Sequence, residues 1–215
     1  MNYQYILFDL DGTLTDPGMG ITNALMHALE KYGIKVEDRE TLYPFIGPPL
    51  TESFENFYGF SKEEAKQAVE YYRDYYREKG LFENKVYEGI PALLEKLVSR
   101  EKTLLVATSK PEIFANQILK HFGIHHYFSF VAGSHFDGSR VQKNEVIEYV
   151  LERAGVKDLS TAVMIGDRKH DMIGAKKVGL DSIGVLYGYG DREELEKAGA
   201  KMIVRKVEEL ETMLR

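Results

Sequence analysis

Two aspartates stand two residues apart, Asp9 and Asp11, directly after the apolar run Tyr5-Ile6-Leu7-Phe8, and Gly12 and Thr13 follow at once. Carboxylates at the exposed end of a buried segment are suited to covalent phosphorus chemistry. One can attack a phosphorus atom and form an acyl phosphate. The other can protonate the leaving oxygen and later deprotonate water. Gly12 permits a tight turn, and backbone N–H groups of Gly12 and Thr13 can face phosphoryl oxygens. Further polar groups follow two later apolar runs. "TLLVATSK" offers Thr108, Ser109 and Lys110, and "AVMIGDRKHD" offers Asp167 with Asp171 one helical turn on. Three or four carboxylates gathered at one place repel each other unless positive charge sits among them. An all-oxygen donor set in a chain without cysteine suits a hard cation, and Mg²⁺ is the expected one. Thr108 supplies a hydroxyl donor, and a lysine is needed to balance phosphate charge.

These groups are far apart in sequence, so a fold must gather them. Short runs rich in β-branched residues alternate with helical patterns. The runs are 5–8, 103–107, 128–132, 162–165, 182–186 and 202–204. The helical patterns are 91–100, 111–122, 144–154, 170–178 and 192–198, with a last one from Val207. Pro91 and Pro111 are expected in first helical turns. This alternation predicts an α/β class: a Rossmann-like parallel sheet with helices on both faces. In such sheets ligands bind beyond the carboxyl ends of the strands, which is where the acids and hydroxyls fall.

One stretch breaks the alternation. From Met19 to about Phe82 there are helical patterns and no convincing strand. Ile21, Ala24, Leu25, Ala28, Leu29 and Tyr32 share a helical face. Ser61 and Glu64 form a capping box ahead of Ala65, Ala68, Val69 and Tyr72. "DPG" (16–18) and "NKVYEGIP" (84–91) read as the connections into and out of an α-helical cap domain inserted after the first strand. The expected division is a core of 1–16 and 85–215 and a cap of 17–84. Its dense tyrosines and phenylalanines are read as packing between helices rather than a base-stacking surface.

Composition narrows the classes. The chain has 215 residues, no cysteine and a formal net charge of −6. Disulfides and thiolate metal sites are excluded. Modest acidity argues against a nucleic-acid polymer as partner. No apolar run approaches the roughly 20 residues of a membrane span, and no secretory signal is visible. A cytoplasmic protein acting on a small phosphorylated metabolite, without membrane or nucleic-acid partner, is expected.

"DLDGTLTD", the "TS" after the second strand and "GDRKHD" occur here in that order. Together they resemble the haloacid dehalogenase-like (HAD) hydrolases, in particular the helical-cap branch with phosphoglycolate phosphatases and related 5′-nucleotidases. The resemblance covers the whole chain. It implies a Mg²⁺-dependent phosphatase working through an aspartyl-phosphate. By position, Asp9 matches the nucleophile and a metal ligand. Asp11 matches the acid/base, with its backbone carbonyl on the metal. Thr108 matches the phosphate-binding hydroxyl, with Ser109 beside it. Asp167 matches a metal carboxylate, and Asp171 an acid that binds metal through water or braces the site. Lys143, before a helix in "RVQKNEVIEYV", matches the phosphate-balancing lysine, with Lys110 as its rival.

Other residues receive plainer readings. His170 is expected beside the site rather than on the metal, and His125, His126, His135 and Asp137 in loops. Phe45–Leu50, "FIGPPL", reads as a rigid turn of the cap that can reach the site. A sugar phosphomutase would use the same intermediate. A phosphonate hydrolase would need an activated cap lysine, and Lys31 and Lys35 lack an apolar setting. A signalling receiver domain also clusters aspartates, but has no large helical insert. A catalytically silent phosphate-binding protein would not need the complete acidic set.

Overall fold

The computed structural model describes residues 3–135 and 139–214. The first strand, β1 (Tyr5–Phe8), is followed by a two-residue strand β2 (Thr15–Asp16). Helices α1 (Gly18–Glu30), α2 (Leu50–Tyr58) and α3 (Lys62–Tyr75) come next. A 3₁₀ turn over Arg39–Phe45 precedes α2, and a π-helical turn over Tyr76–Gly80 follows α3. A short strand β3 (Lys85–Val86) pairs with β2. The sequence pattern gave no sign of this pair, because a two-residue strand has no periodicity to read.

Strands and helices then alternate: α4 (Ile90–Ser99), β4 (Thr103–Pro111), α5 (Glu112–His121), β5 (Phe130–Ser134) and α6 (Lys143–Arg153). They continue through β6 (Ala162–Gly166), α7 (Lys169–Val178), β7 (Asp181–Val185), α8 (Arg192–Ala198), β8 (Met202–Val204) and α9 (Val207–Met213). The six-stranded sheet runs β5-β4-β1-β6-β7-β8 with all neighbouring strands parallel. The chain works outward from β1 in one direction, then returns to its other side. The crevice of such a doubly wound sheet opens at that reversal, beyond the ends of β1 and its neighbours.

Burial explains why these runs become central strands. Ile6, Leu7, Phe8, Leu104, Leu105, Val106, Val163, Met164 and Ile165 are all fully or almost fully buried. Leu7, Leu105, Ala107 and Met164 join Val146, Ile147 and Val150 of α6 and Ala175 of α7 in one core cluster. Each large side chain removed from water in this way contributes about 1.5–3 kcal/mol.

Two boundaries differ from the sequence reading. Strand β4 runs on to Pro111, so Thr108, Ser109 and Lys110 lie within it instead of after it. Its register against β5 shifts between Ala107 and Pro111, an irregularity of the kind that re-aims side chains near active sites. Pro111 stands just ahead of α5 and not in its first turn, because its extended backbone still belongs to the strand. Pro91 does occupy a first helical turn. Strand β5 likewise starts two residues later than the pattern indicates.

The chain divides into two compact units, residues 1–15 with 86–215, and residues 16–85. The second is helical and well satisfied internally. The Ser61 hydroxyl accepts the Glu64 N–H at 3.2 Å, and Glu64 accepts the Ser61 N–H at 2.8 Å, closing the capping box. Phe45, Phe54 and Phe60 pack ring against ring, with centroids 5.3 and 5.6 Å apart. Phe45 and Ile46 of "FIGPPL" are buried in this unit. No helix among the described residues is long and apolar enough to cross a membrane.

Candidate active site

The end of β1 carries Asp9, whose N–H donates to the Ile165 carbonyl at 2.9 Å and so continues the sheet's direction. A tight turn follows. Thr13, Leu14 and Thr15 all donate N–H groups to the Leu10 carbonyl, and Gly12 donates to the Thr15 carbonyl at 2.8 Å. The backbone N–H groups of Gly12 and Thr13, expected to face phosphate, are therefore engaged in closing the turn. Gly12 has a φ of +79°, and a Cβ there would lie 2.1 Å from an Asp167 carboxylate oxygen. Both the backbone conformation and the close approach require glycine.

Oxygens of Asp9, Asp167 and Asp171 lie within 4.8 Å of one another, all three residues buried. Asp167 reaches this cluster from the end of β6. Its Oδ2 accepts the Tyr189 N–H at 2.7 Å, while Oδ1 is buried and accepts no hydrogen bond among the described residues. It does not cap α7, since the residue at the cap is Arg168. Asp171, one turn into α7, accepts the Arg168 N–H at 3.1 Å, so it braces the helix start as well as facing the cluster.

Two lysines answer these charges. Lys143 is the first residue of α6, where the helix dipole disfavours a cation. Its Nζ lies 2.8 Å from Asp9 Oδ1 and 2.8 Å from Asp171 Oδ1, and donates to the Ala107 carbonyl at 3.1 Å. Burial opposes its charge, but Asp171 and Asp9 outweigh that and hold its pKa above the usual lysine value. Lys110 pairs separately with Asp11, Nζ to Oδ2 at 2.6 Å. The sequence left one lysine to be chosen between these two; the fold brings both to the same edge, on different carboxylates.

Four carboxylates and two ammonium groups leave a formal charge of −2 at this edge. The strain shows in the acids. Burial, then Asp171 and Asp9, push Asp167 well above the usual carboxylate range. Asp171 is pushed up to about 6, chiefly by burial, with Lys143 pulling the other way. Burial also raises Asp11, although the Lys110 charge opposes it. An all-oxygen cluster with an unpartnered buried Asp167 oxygen and residual negative charge fits a divalent cation held by Asp9, Asp167 and Asp171.

Thr108 is buried in β4, and its Oγ1 accepts the Lys110 N–H at 3.2 Å. Ser109 contributes its carbonyl to Ser134 Oγ at 2.8 Å. The Thr13 hydroxyl is buried and has no hydrogen-bond partner among the described residues. His170 lies half-buried in α7, outside the acidic cluster, with an Nε2 that has no hydrogen-bond partner among the described residues and a pKa lowered by burial and then by Arg168. His125 bonds Asn116 at 2.9 Å, away from the acids. His126 stands in the same short 3₁₀ turn. Asp137 lies outside the described residues.

Sequence reading missed the loop after β7, "LYGYGD". Tyr189 donates its N–H to Asp167, and Tyr187 donates its hydroxyl to the Thr13 carbonyl at 3.1 Å. This loop steadies the two segments that carry Asp9 and Asp167. Its place at the carboxyl end of a core strand was the available signal.

Residues 6–185 match the family model described as haloacid dehalogenase-like hydrolase. The chain is 48% identical over 195 residues to a 5′-nucleotidase of Pseudomonas aeruginosa, spanning 91% of this chain and 88% of that one. It is 38% identical over 201 residues to tyrosine-protein kinase PtkA of Mycobacterium tuberculosis, spanning 93% and 68%. The crystal structure of a predicted phosphatase from Clostridium acetobutylicum superposes with a TM-score of 0.96 at 50% identity, covering 100% and 99% of the two chains. With the doubly wound sheet and its acidic edge, these similarities make the chain a member of the haloacid dehalogenase-like hydrolase family, and an enzyme of its phosphatase class.

Proposed function

We propose that the protein hydrolyses small phosphomonoesters, 5′-nucleotides foremost, in a Mg²⁺-dependent reaction through an aspartyl-phosphate on Asp9. The observation that carries this reading is the pairing of lysines with carboxylates. Lys143 pairs with Asp9 at 2.8 Å and orients its carboxylate, as a nucleophile requires. Asp11 is largely buried, and burial raises its pKa, as a proton donor requires, while Lys110 at 2.6 Å opposes that rise and orients the carboxyl.

The residues then divide the work. Asp9 attacks the phosphorus atom, and the bond to the leaving oxygen breaks. Asp11 gives its proton to that oxygen, so an alcohol leaves. Asp11, now a carboxylate, takes a proton from water as the water attacks the phosphorus. Asp9 is released, and inorganic phosphate departs. Thr108 and Lys143 supply hydroxyl and ammonium donors to the phosphoryl oxygens, with Thr13 and Ser109 beside them. Asp9, the Asp11 backbone carbonyl, Asp167 and Asp171 would hold Mg²⁺. When bound, the ion neutralises the carboxylates and polarises the phosphoryl group.

The core groups recognise only what every phosphomonoester shares. We assign choice among leaving alcohols to the helical unit, which follows Asp11 in sequence and acts as the cap. The substrate class rests on the 48% identity to a 5′-nucleotidase. Phosphate release from a panel of 5′-nucleotides, phosphoglycolate, sugar phosphates and an aryl phosphate, with Mg²⁺ and with EDTA, tests both parts. The expected result is Mg²⁺-dependent release with the highest kcat/KM on a 5′-nucleotide. Release unaffected by excess chelator would contradict the metal assignment.

The similarity to a tyrosine kinase supports a second reading, transfer of the phosphoryl group from Asp9 to a hydroxyl other than water. Labelled nucleoside triphosphate with a tyrosine peptide as acceptor separates the two. Label in peptide rather than in free phosphate would favour transfer.

A further inference from the structure

Arg140 has a left-handed backbone, with φ of +51°, which is unusual for a residue that is not glycine. Such a conformation persists where the surroundings hold it in place. Here the side chain does the holding. Its Nη2 pairs with Glu112 Oε2 at 2.6 Å, and its Nε donates to the Gly133 carbonyl at 2.8 Å. Nη2 also lies 2.7 Å from His135 Nε2. Arginine has only donors, so that nitrogen accepts, and His135 Nδ1 carries the proton toward Ser139 Oγ at 2.9 Å. The guanidinium carbon sits 4.0 Å from the centre of the Tyr149 ring on α6. The arginine side chain is thus largely buried, with Nε, Nη2 and the guanidinium face all engaged.

The partners' places matter more than their number. Glu112 is the first residue of α5, two positions after Lys110. Glu112 Oε2 also accepts the Gly133 N–H at 3.4 Å. Gly133 belongs to β5, packed so close to the β4 end that a Cβ would lie 2.3 Å from the Lys110 carbonyl. Arg140 itself stands three residues before Lys143. One guanidinium therefore clasps the segment that carries Lys110 to the segment that carries Lys143. It does so where the register of β4 against β5 shifts, between Ala107 and Pro111.

We propose that Arg140 is a positioning residue for the phosphoryl-transfer site, acting through Glu112 and Gly133 to fix Lys110 on Asp11 and Lys143 on Asp9. It touches neither aspartate. The inference rests on the reading of these two lysines as members of the catalytic set. A planar fork is needed, because the same guanidinium must meet a carboxylate, a carbonyl and an aromatic face at once. Lysine supplies a single point charge and cannot do so.

The test compares Arg140→Ala, Arg140→Lys and Arg140→Gly with Glu112→Gln, their double variant and Lys143→Ala. Arg140→Gly removes the guanidinium while suiting the left-handed backbone, so it separates the clasp from backbone strain. Displacing catalytic groups by about 1 Å costs on the order of 10²-fold. The expected result is a kcat loss of roughly 10- to 100-fold, common to every phosphomonoester, with KM little changed. All three Arg140 variants should show it. The Glu112→Gln/Arg140→Ala double variant should fall no further than Arg140→Ala alone, and added guanidinium ion should partly restore Arg140→Ala. A kcat within twofold of wild type, or a loss that matches the fraction of unfolded enzyme by calorimetry, would overturn the proposal. Unimpaired Lys143→Ala would overturn the lysine reading beneath it. A wild-type enzyme that releases no phosphate would overturn the proposed function first.

Discussion

The acidic sheet edge and the helical unit are built on opposite terms. Inside the helical unit, Phe45, Phe54 and Phe60 bury ring against ring, and Ser61 and Glu64 satisfy each other's backbone donors. Local propensity, capping and packing agree there. At the edge of the core, four aspartates and two lysines share a buried space, and oxygens of Asp11 and Asp167 have no hydrogen-bond partner among the described residues. Groups in such a place raise the energy of the folded chain unless something binds them. The contrast separates residues kept for stability from residues kept for chemistry, and it makes opposite forecasts for substitutions in the two places.

Removing the nucleophile should have the largest effect. Asp9→Asn is expected to lose 10⁴-fold or more of kcat, about 5.5 kcal/mol of barrier, while still folding. Asp11→Asn should lose on the order of 10²–10⁴-fold, because the amide keeps the size but shuttles no proton. Steady-state kinetics with calorimetry on the same samples checks both. In the helical unit the sign reverses. Phe54→Ala should cost about 3–5 kcal/mol of stability, read by denaturant unfolding, because Phe54 is fully buried. The chemistry of any enzyme that remains folded should be unchanged.

Asp167 sharpens the comparison. Its carboxylate is buried, raised in pKa and unpaired at Oδ1. Asp167→Asn should therefore raise the melting temperature in EDTA while increasing the Mg²⁺ concentration needed for half activity. A lower melting temperature in EDTA would show that this carboxylate stabilises the empty site.

The acids were legible because an apolar strand that stops at a carboxylate is unusual, and because a parallel sheet gathers its strand ends. The sheet and the alternation of elements were legible for the same reason: β1, β6 and the first half of β4 are apolar runs. The lysines were harder. Lys143 is buried at a helix start, where neither periodicity nor the helix dipole would put it. Its partners, Asp9, Asp171 and the Ala107 carbonyl, account for its place. The loop at Tyr187–Tyr189 was not legible, because what it gives Asp167 is a backbone N–H, which any sequence supplies. Arg140 escaped notice for a related reason. Its meaning lies in the approach of β5 to the end of β4, and a register shift leaves no mark in composition.

A smaller effect concerns pH. The Asp171 carboxyl is raised from 3.8 to about 6, chiefly by burial. Between those values the folded, metal-free protein keeps a proton that the unfolded chain has lost. Its contribution to stability is greatest at the acid end and declines as pH rises through that window. Bound Mg²⁺ must expel the same proton, so stabilisation by Mg²⁺ should grow across it. The Mg²⁺-induced rise in melting temperature should be larger at about pH 7 than at about pH 5. An equal rise at both would detach Asp171 from the metal. The smallest effect expected is that of Ser61→Ala, about 1 kcal/mol in unfolding with kinetics unchanged, because it removes a cap and no packing.

The central claim is that Asp9 becomes phosphorylated. Rapid acid quench of the enzyme with Mg²⁺ and a 5′-nucleotide or aryl phosphate labelled in its phosphate counts protein-bound label, and borohydride reduction of a parallel sample, which expels the phosphate and leaves homoserine, locates the residue by peptide mass spectrometry. The expected result is protein-bound label before reduction and homoserine in place of Asp9 after it, both absent from Asp9→Asn and longer-lived in Asp11→Asn. Turnover of the same substrate with no label on Asp9 at any quench time, or label on another residue, would contradict it.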